Sequence, residues 1–411
     1  MRHYAWCAAL MFCVASSLMP DVRADTLSIS FSELESYARE RSSRAEILQR
    51  QLDLVRAERD EALAWSNPVI AFDREDVGLA ENQITLEKSV APPWSYWKAR
   101  SGWDARLAGA HSEWEHQTRL LLADLKSRYV ALKLLDDHLT KIEELESIVP
   151  DVSRIITARR EEGHASGVDE QLVRMTLSSV HRTRQSVINA YAVAHAGWRS
   201  VLGIDPNVPM RLNSPVAMTE VDLSGVSASI GSLDQHPGLQ ARRRRIDYLR
   251  SQAGAAKGRF IPNLTVYGGY KAIDPDETGY VVGLSLGIPL FHRNGAAARQ
   301  YTIRSEIAGR EADAFRIRIL SRVHGLMDAI QEAQASLNSI GDIAAGNNIA
   351  DGLLQSYVDG WITLHELLNA IQITATGLGD YYAQLTKYYE YIFELESMVG
   401  VTLVEFAPEE R

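Results

Sequence analysis

The feature that most constrains the fold of this sequence is an internal repeat, because its two halves resemble each other at an offset of about 197 residues. Each half is predicted to contain a helix, two strands, a very long helix, a glycine-marked turn and a returning helix. The landmark pairs are Ser66-Asn67 with Pro262-Asn263, Pro92 with Pro289, Trp94 with Phe291, Gly163 with Gly360, Asp169 with Glu366, and Leu202-Gly203 with Val399-Gly400. Nearly constant spacing across six landmarks rarely arises by chance, so the sequence predicts a duplicated architecture.

The strands predicted in each half have the length of membrane-spanning strands. They cover residues 69–77 and 83–91 in the first half and 264–272 and 280–290 in the second, about nine to eleven residues each. Apolar residues alternate with small or polar ones in three of them, although Lys88 interrupts one apolar side. Turn residues then join each pair of strands into a hairpin.

The segment from Gly279 to Phe291 also contains Gly-Leu-Ser-Leu-Gly centred on Ser285, which matches the nucleophile elbow of serine hydrolases. An elbow requires the strand to stop at the serine and turn into a helix. The period-two alternation instead runs straight through Ser285. The strand interpretation is therefore favoured, and the chain is predicted not to be an enzyme.

The predicted helices are far longer than the usual 11 or 12 residues. Residues 96–162 and 295–359 carry apolar residues at three- and four-residue spacing, with Pro150 as the only proline. Sixty residues of helix would span roughly 90 Å, and such helices bury their apolar stripes by coiled-coil packing against neighbours. The first repeat, residues 25–225, then comprises a helix, a β-hairpin at 68–92, a long helical hairpin at 96–202 and a linker. The second repeat, residues 226–411, comprises a helix, a β-hairpin at 264–290, a long helical hairpin at 295–400 and a C-terminal tail.

The N-terminus has the pattern of a secretory signal peptide at residues 1–24. An apolar run follows Arg2, and small residues precede a predicted cleavage site after Ala24. Both cysteines, Cys7 and Cys13, lie in this segment, so the exported chain is expected to have no thiol, disulfide or cysteine metal site. The net charge of -10 argues against a nucleic-acid partner.

Four strands per chain are too few to close a membrane barrel, because bacterial outer-membrane barrels begin at eight strands. An open strand edge cannot face lipid either. The chain is therefore predicted to associate, so that symmetry supplies eight, twelve or more strands. By the same symmetry the long helices would form a second cylinder that continues the strands.

In this order and spacing the sequence resembles the TolC family of outer-membrane efflux channels over essentially the whole chain after the signal. The resemblance rests on the repeat, the strand ending Val282 to Phe291, His236-Pro237-Gly238-Leu239 before Pro262-Asn263-Leu264, and the turns Glu162-Gly163 to Asp169-Glu170-Gln171-Leu172 and Asp359-Gly360 to Glu366-Leu367-Leu368. It implies an α+β membrane protein that forms a homotrimer. Four strands from each chain would give a twelve-stranded transmembrane β-barrel, continued by a long periplasmic α-helical barrel. Tyr357 three residues before Gly360, together with the short length, is most similar to the CzcC-like cation-efflux branch.

The resemblance implies a passive exit duct in the outer membrane of a Gram-negative bacterium. Substrates, metal cations or small toxic compounds, would be delivered by an inner-membrane transporter of the resistance-nodulation-division (RND) type through a periplasmic membrane-fusion adaptor. It implies no cofactor, catalytic residue or bound metal. A type I protein-secretion duct is an alternative in the same class, and a periplasmic coiled-coil scaffold is an alternative from a different class.

The family meets its adaptor at the glycine turns of the helical hairpins. These turns correspond here to Glu162 with Gly163 and to Asp359 with Gly360. A glycine is also the usual way to end any helix, so its presence alone does not establish the contact.

Asp169 and Glu366 match the positions where the family places carboxylates at the periplasmic entrance. Threefold repetition would turn each into an acidic ring that favours cations. An acidic residue in the first turn of a helix also stabilises the helix dipole, which explains either residue equally well. Asn369 stands where some members carry a second carboxylate, so a doubled ring is in doubt.

Two further groups of residues have alternative explanations. Trp94, Tyr96 and Trp97 follow the second strand, where a membrane-interface belt is expected, but packing at the junction between strands and helices would also explain them. His164 and His365 lie near the turns, yet neither has metal-ligand spacing, and solvated histidines are favoured.

Overall fold

The computed structural model describes residues 27–77, 79–231, 233–258, 263–273, 277–287, 294–344 and 349–407. The predicted signal peptide and both cysteines lie outside these residues. The last residues of the fourth predicted strand and the landmarks Pro262, Pro289 and Phe291 also lie outside them.

The described residues form six strands and ten α-helices. The strands are β1 (Leu27–Ile29), β2 (Val69–Val77), β3 (Leu79–Val90), β4 (Met210–Leu212), β5 (Leu264–Ile273) and β6 (Glu277–Leu286). The helices are α1 (Leu34–Arg41), α2 (Ser43–Leu63), α3 (Pro93–Ser147), α4 (Val149–Glu161), α5 (Gly167–Leu202), α6 (Ser224–Gly231), α7 (Pro237–Gly258), α8 (Gly295–Ala344), α9 (Ile349–Val358) and α10 (Leu364–Val399). Within the described ranges, no helix is both long and apolar enough to cross a membrane.

The two predicted β-hairpins join into one antiparallel sheet with strand order β2-β3-β5-β6. Over the residues that the structure describes, this sheet is open, because β2 and β6 each pair on one side alone. Both hairpins are tighter than predicted, and β6 runs from Glu277 to Leu286 where the sequence predicted a strand over 280–290. Leu79, Ala80 and Glu81, expected in the turn, pair with Val77, Asp76 and Glu75, since each added ladder pair satisfies backbone groups that a wider loop would leave to solvent.

Four helices continue the four strands in the same order. Helix α2 leads into β2, α3 follows β3, α7 leads into β5 and α8 follows β6, and successive members of this series pack side by side. Glycines allow the closest approach: a Cβ on Gly102 would lie 2.9 Å from the Ser251 Cβ, and one on Gly109 would lie 3.0 Å from the Arg244 Cβ. Strands and helices therefore form one four-membered layer whose outer members are α2 with β2 and α8 with β6.

Below this layer the chain forms two long helical hairpins. Helices α3 and α4 descend to the first tip and α5 returns, while α8 and α9 descend to the second tip and α10 returns. The continuous helix predicted over residues 96–162 is wrong in one detail, because it is interrupted at Ile148, two residues before Pro150. Proline has no N–H to donate to the preceding turn, so the helical ladder is broken there.

Two clusters of buried apolar side chains hold the hairpins together. The larger cluster includes Tyr129 and Trp198 and lies beside the small parallel sheet of β1 and β4. The smaller cluster includes Val180 and Ile371 and lies toward the hairpin tips, where residues from both hairpins meet.

Candidate functional site

One face of the four-stranded sheet is apolar across all four strands. The pairing register stacks its residues in four rows: Phe72-Ile84-Tyr270-Tyr280, Ile70-Leu86-Gly268-Val282, Lys88-Val266-Leu284 and Val90-Leu264-Leu286. Its large apolar side chains are exposed, from 39% for Val90 and Leu264 to 90% for Tyr280. The rows span six residues along a strand, about 20 Å. A contiguous exposed apolar face of this size marks an interaction surface.

The opposite face of the same sheet is mostly small or polar, although Val69, Tyr267 and Val281 also lie on it. It carries Thr85, Lys271 and Ser285, and Lys271 forms an ion pair with Glu81. A Cβ at Gly283 would collide with the Tyr267 ring, so the glycine is required there. Ser285 pairs with Thr265 inside β6, and the strand continues past it to Leu286. The predicted strand is confirmed at this point, and the bend that a nucleophile elbow requires does not occur at Ser285.

The two hairpin tips have the same backbone turn. Gly163 and Gly360 adopt left-handed φ angles of 78° and 77°. At the first tip the His164 N–H donates to the Arg159 carbonyl at 2.7 Å, and at the second the Trp361 N–H donates to the Ser356 carbonyl at 2.9 Å. The Gly163 N–H also donates to the Arg160 carbonyl, and the Gly360 N–H donates to the Tyr357 carbonyl. Each tip therefore ends in a Schellman motif, in which glycine is favoured because it has no Cβ.

The predicted entrance acids begin the returning helices. The Asp169 carboxylate accepts hydrogen bonds from the Ser166 N–H at 2.7 Å and the Ser166 hydroxyl at 2.9 Å, and the Asp169 N–H donates back to that hydroxyl. Thr363 and Glu366 make the same capping box. The backbone hydrogen bond from Ser166 or Thr363, with the hydroxyl bond, holds the pKa of each carboxyl below its usual value. Both acids are therefore charged at neutral pH and also cap a helix.

Side chains behind the two turns differ in character. At the first tip Glu170 is ion-paired with Arg160 and Arg174 near the surface. The residues 197 positions later are Tyr357, Leu367 and Ile371, which are 3%, 0% and 0% exposed. Both tips contribute to the smaller apolar cluster, but at these three positions the first tip has a charged network near the surface and the second has buried apolar side chains.

Residues that sequence reasoning missed lie at the second tip. Trp361, beside Gly360, is 83% exposed, and Val358 is 51% exposed. The corresponding positions of the first tip hold His164 and Glu161, which are also exposed but polar. The only sequence signal was an aromatic residue next to a turn glycine, which does not indicate exposure by itself.

A contact between the two hairpins was also missed. The Arg159 guanidinium donates to the Tyr357 hydroxyl at 3.0 Å and lies 4.9 Å from the centre of its ring. Arg159 ends the first descending helix, while Tyr357 ends the second. The structure therefore brings the predicted turn residues Glu162, Gly163, Asp359 and Gly360 to the same end of the molecule.

The aromatic residues at the junction between sheet and helices divide into two groups. Trp94 packs toward α7, since a Cβ on Gly258 would lie 3.5 Å from its Cδ1. Trp97 is 66% exposed, and Trp65, at the end of α2, is 73% exposed. Packing therefore covers part of Trp94, which is 43% exposed, whereas Trp65 and Trp97 are largely available for contacts outside the chain.

The remaining candidates give no sign of a metal centre. His164 and His365 are exposed, as is Asn369. Among the residues that the structure describes, no group of three or more His, Cys, Asp or Glu side chains could hold a metal ion.

Comparison with known proteins gives a result for structure alone. No protein-family model and no curated protein sequence matches the chain. Solved structures do match it: the outer-membrane channel OprN has a TM-score of 0.75 and 16% identity, covering 90% of this chain and 89% of its own. The outer membrane protein VceC of Vibrio cholerae has a TM-score of 0.75 and 14% identity, covering 91% of this chain and 97% of its own. CusC, described in terms of transmembrane channel formation, has a TM-score of 0.71 and 14% identity, covering 93% of this chain and 95% of its own. The chain has the fold of outer-membrane channels. The resemblance to the TolC family predicted from the sequence is confirmed at the level of the fold.

Proposed function

We propose that this chain is one subunit of a homotrimeric outer-membrane channel, the passive exit duct of an efflux system. The observation that carries the proposal is the sheet, which is apolar on one face, mostly small or polar on the other, and open at both edges. A sheet in a bilayer needs an apolar face toward lipid and a polar face toward the lumen, and its edges must be paired. Three copies would pair β6 of one with β2 of the next and close twelve strands.

The outer helices support the same closure. On α2, Ile47 and Leu54 are 56% and 59% exposed, and on α8, Ile303 and Ile307 are 49% and 53% exposed. These aliphatic side chains lie on the two outer members of the layer, where each would pack against the next subunit. When each subunit is rotated by one third of a turn relative to the next, a repeated contact between two different surfaces closes into a ring of three. The equal contributions of the proposed repeats, residues 25–225 and 226–411, would then give twelve helices under twelve strands.

The hairpin tips are the proposed contact with a periplasmic membrane-fusion adaptor. Helix α3 has 55 residues, about 80 Å of helix, so the tips lie far from the sheet. The contact would comprise Glu162 with Gly163 and Asp359 with Gly360, and Trp361 adds an exposed aromatic anchor. The duct itself would need an inner-membrane RND-type transporter as its energy source.

The acids at the start of the returning helices bear on the class of substrate. Asp169 and Glu366 keep their charge at neutral pH because their capping hydrogen bonds hold the pKa of each carboxyl low. Repeated three times around an entrance, they would favour cations over anions, which suits metal cations and cationic toxic compounds.

The proposal is tested by the cellular location of the protein, by its number of subunits and by a matched pair of substitutions. Leu284 and Ser285 are neighbours on opposite faces of β6. Leu284→Arg should reduce the amount of trimer in the outer membrane, because arginine at a lipid-facing position costs about 2–4 kcal/mol near the midplane. Ser285→Arg should leave assembly intact. Native mass spectrometry of the extracted envelope would give the oligomer.

A monomer or dimer found in the periplasm would overturn the proposal, and so would equal insertion of the two variants. Ser285→Ala gives the corresponding test of the hydrolase interpretation. Unchanged export by that variant is expected, because Ser285 contributes only a small side chain to the polar face.

A further inference from the structure

A groove lies at the junction between the sheet and the helices, and the proposed duct gives it no role. Its volume is about 430 Å³. Trp65 bounds it at the end of α2, Val90 at the end of β3, and Tyr96 and Trp97 at the start of α3. The groove therefore lies between the two legs of the first β-hairpin, at the edge of the apolar face.

The groove is continuous with the apolar face of the sheet. Val90 belongs both to the wall of the groove and to the last apolar row, with Leu264 and Leu286. Trp65 and Trp97, which line the groove together with Val90, are 73% and 66% exposed. A chain molecule lying along the apolar row would thus enter the groove at its end.

A positive charge lies beside the groove, because Lys88 contacts two of the residues that line it, Trp65 and Ser66. Lys88 is in the apolar row next to Val90, and its ammonium lies 5.8 Å from the centre of the Trp65 ring and donates to the Ser66 carbonyl. An ammonium has three N–H donors, so two remain after this bond. Among the described residues, the contacts of the Lys88 ammonium are the Ser66 carbonyl and the Trp65 ring, and no carboxylate lies within ion-pair distance of it. The site thus combines an apolar slot with a cation that still has donors for an anionic group.

We propose that this groove binds a glycerophospholipid of the inner leaflet. Lys88 would bind the phosphate, Trp65 and Trp97 would contact the glycerol region, and an acyl chain would follow the row of Val90, Leu264 and Leu286. The inference rests on the proposed function, since it requires the sheet to lie in the outer membrane with its helices in the periplasm. On that side the leaflet consists of phospholipid, and the interface is where tryptophan and lysine side chains are favoured.

The experiment uses the trimer released from the outer membrane in mild detergent. After delipidation it is incubated with phosphatidylethanolamine vesicles, extracted again, and examined by native mass spectrometry for bound lipid. One lipid per subunit is expected for the wild type. Lys88→Gln should lower the occupancy about tenfold, the effect of losing one charge-assisted hydrogen bond to phosphate. Trp97→Ala should also lower it, and Trp361→Ala, an exposed tryptophan at the far tip, serves as the control.

The alternative occupant of the groove is the neighbouring subunit. A photo-crosslinking residue in place of Ala91, which also lines the groove, should therefore label lipid in an otherwise unaltered trimer. Crosslinking to the next subunit, or equal lipid retention by wild type and Lys88→Gln, would overturn the inference. If either result is obtained with an intact outer-membrane trimer, the proposed duct function is unaffected. A protein that forms no trimer in the outer membrane would contradict the duct function itself.

Discussion

At the first hairpin tip Arg160, Glu170 and Arg174 are paired near the surface, whereas at the second tip the corresponding Tyr357, Leu367 and Ile371 are buried. The backbones of the two tips nevertheless match in their left-handed glycine, their Schellman bonds and their capping box. Backbone geometry is thus fixed at both tips while the side chains behind it differ. The matching backbone turns would allow both tips to contact a partner in the same way. The different side chains give each tip its own stability and surface chemistry.

The largest effect should come from placing glutamate, the residue at position 170 of the first tip, at the corresponding position of the second tip, Leu367. Leu367→Glu would place a carboxylate at a position that is 0% exposed, and an unpaired buried charge costs about 3–5 kcal/mol. The second tip should then open, which hydrogen exchange over residues 349–371 would detect. Leu367→Met is the control for volume. The reverse substitution, Glu170→Leu, should change hydrogen exchange at the first tip little. Equal effects of the two substitutions on hydrogen exchange would show that the tips do not differ in this way.

The exposed surfaces of the tips give the next effect. A tryptophan at the centre of a protein contact commonly contributes about 2 kcal/mol or more, so Trp361→Ala should weaken adaptor binding about 30-fold. His164→Ala, the matched change at the first tip, should weaken it by less than about threefold because a peripheral polar contact contributes little. Interferometry with the detergent-extracted trimer and the purified adaptor hairpin would measure both. Similar losses at the two tips would contradict an unequal contact.

The shared backbone can be tested at the glycines. Gly360→Val and Gly163→Val should each strain their turn by about 1–2 kcal/mol, because a branched side chain disfavours the left-handed region. No atom lies within 4 Å of a Cβ built at either position, so the effect would be conformational. Export should fall while the trimer still assembles. Asparagine, which tolerates this conformation, is the control at both positions, and loss of the trimer itself would show that the turns serve assembly.

Much of this comparison could be predicted from the sequence, and particular contacts could not. The alternation around Ser285 reflects the local period of a strand, and Gly163 and Gly360 each mark a local helix end, so the presence of the strands and of the two turns could be predicted. The ends of the strands could not. The extension of β3 to Leu79 depends on pairing with β2, which turn propensities do not describe. The bond from Arg159 to Tyr357 joins residues 198 positions apart, and sequence spacing within one hairpin gives no information about it.

The groove at the junction was missed for a similar reason. Trp65 lies in the segment between α2 and β2, whereas Trp97 belongs to α3, and the pairing of β2 with β3 brings the two together. Trp94 and Trp97 are three residues apart on one helix, yet Trp94 packs partly against α7 and is 43% exposed, whereas Trp97 is 66% exposed. Helical spacing alone does not decide which face a neighbour will cover.

The smallest expected effect separates the two roles of Asp169 and Glu366. Ser166→Ala and Thr363→Ala remove a cap partner and keep the carboxylate, so each should destabilise its tip by about 1 kcal/mol and leave ion selectivity unchanged. Asp169→Asn and Glu366→Gln remove the charge and keep the size, so they should reduce the cation preference of the channel in planar bilayers. If selectivity follows the cap variants instead, the acidic ring is wrong and the acids serve the turns alone.

The same carboxylates predict a pH dependence with a definite sign. Hydrogen bonds from Ser166 and Thr363 lower the pKa of Asp169 and Glu366 in the folded state. Their stabilisation is therefore complete above the ordinary carboxyl pKa of about 4 and is lost as the pH falls through the lowered folded value. Hydrogen exchange at both tips, after correction for its intrinsic pH dependence, should be constant from pH 5 to 8 and should increase only in stronger acid. Because the capping boxes match, the two tips should respond alike, in contrast to their unequal response to Leu367→Glu and Glu170→Leu.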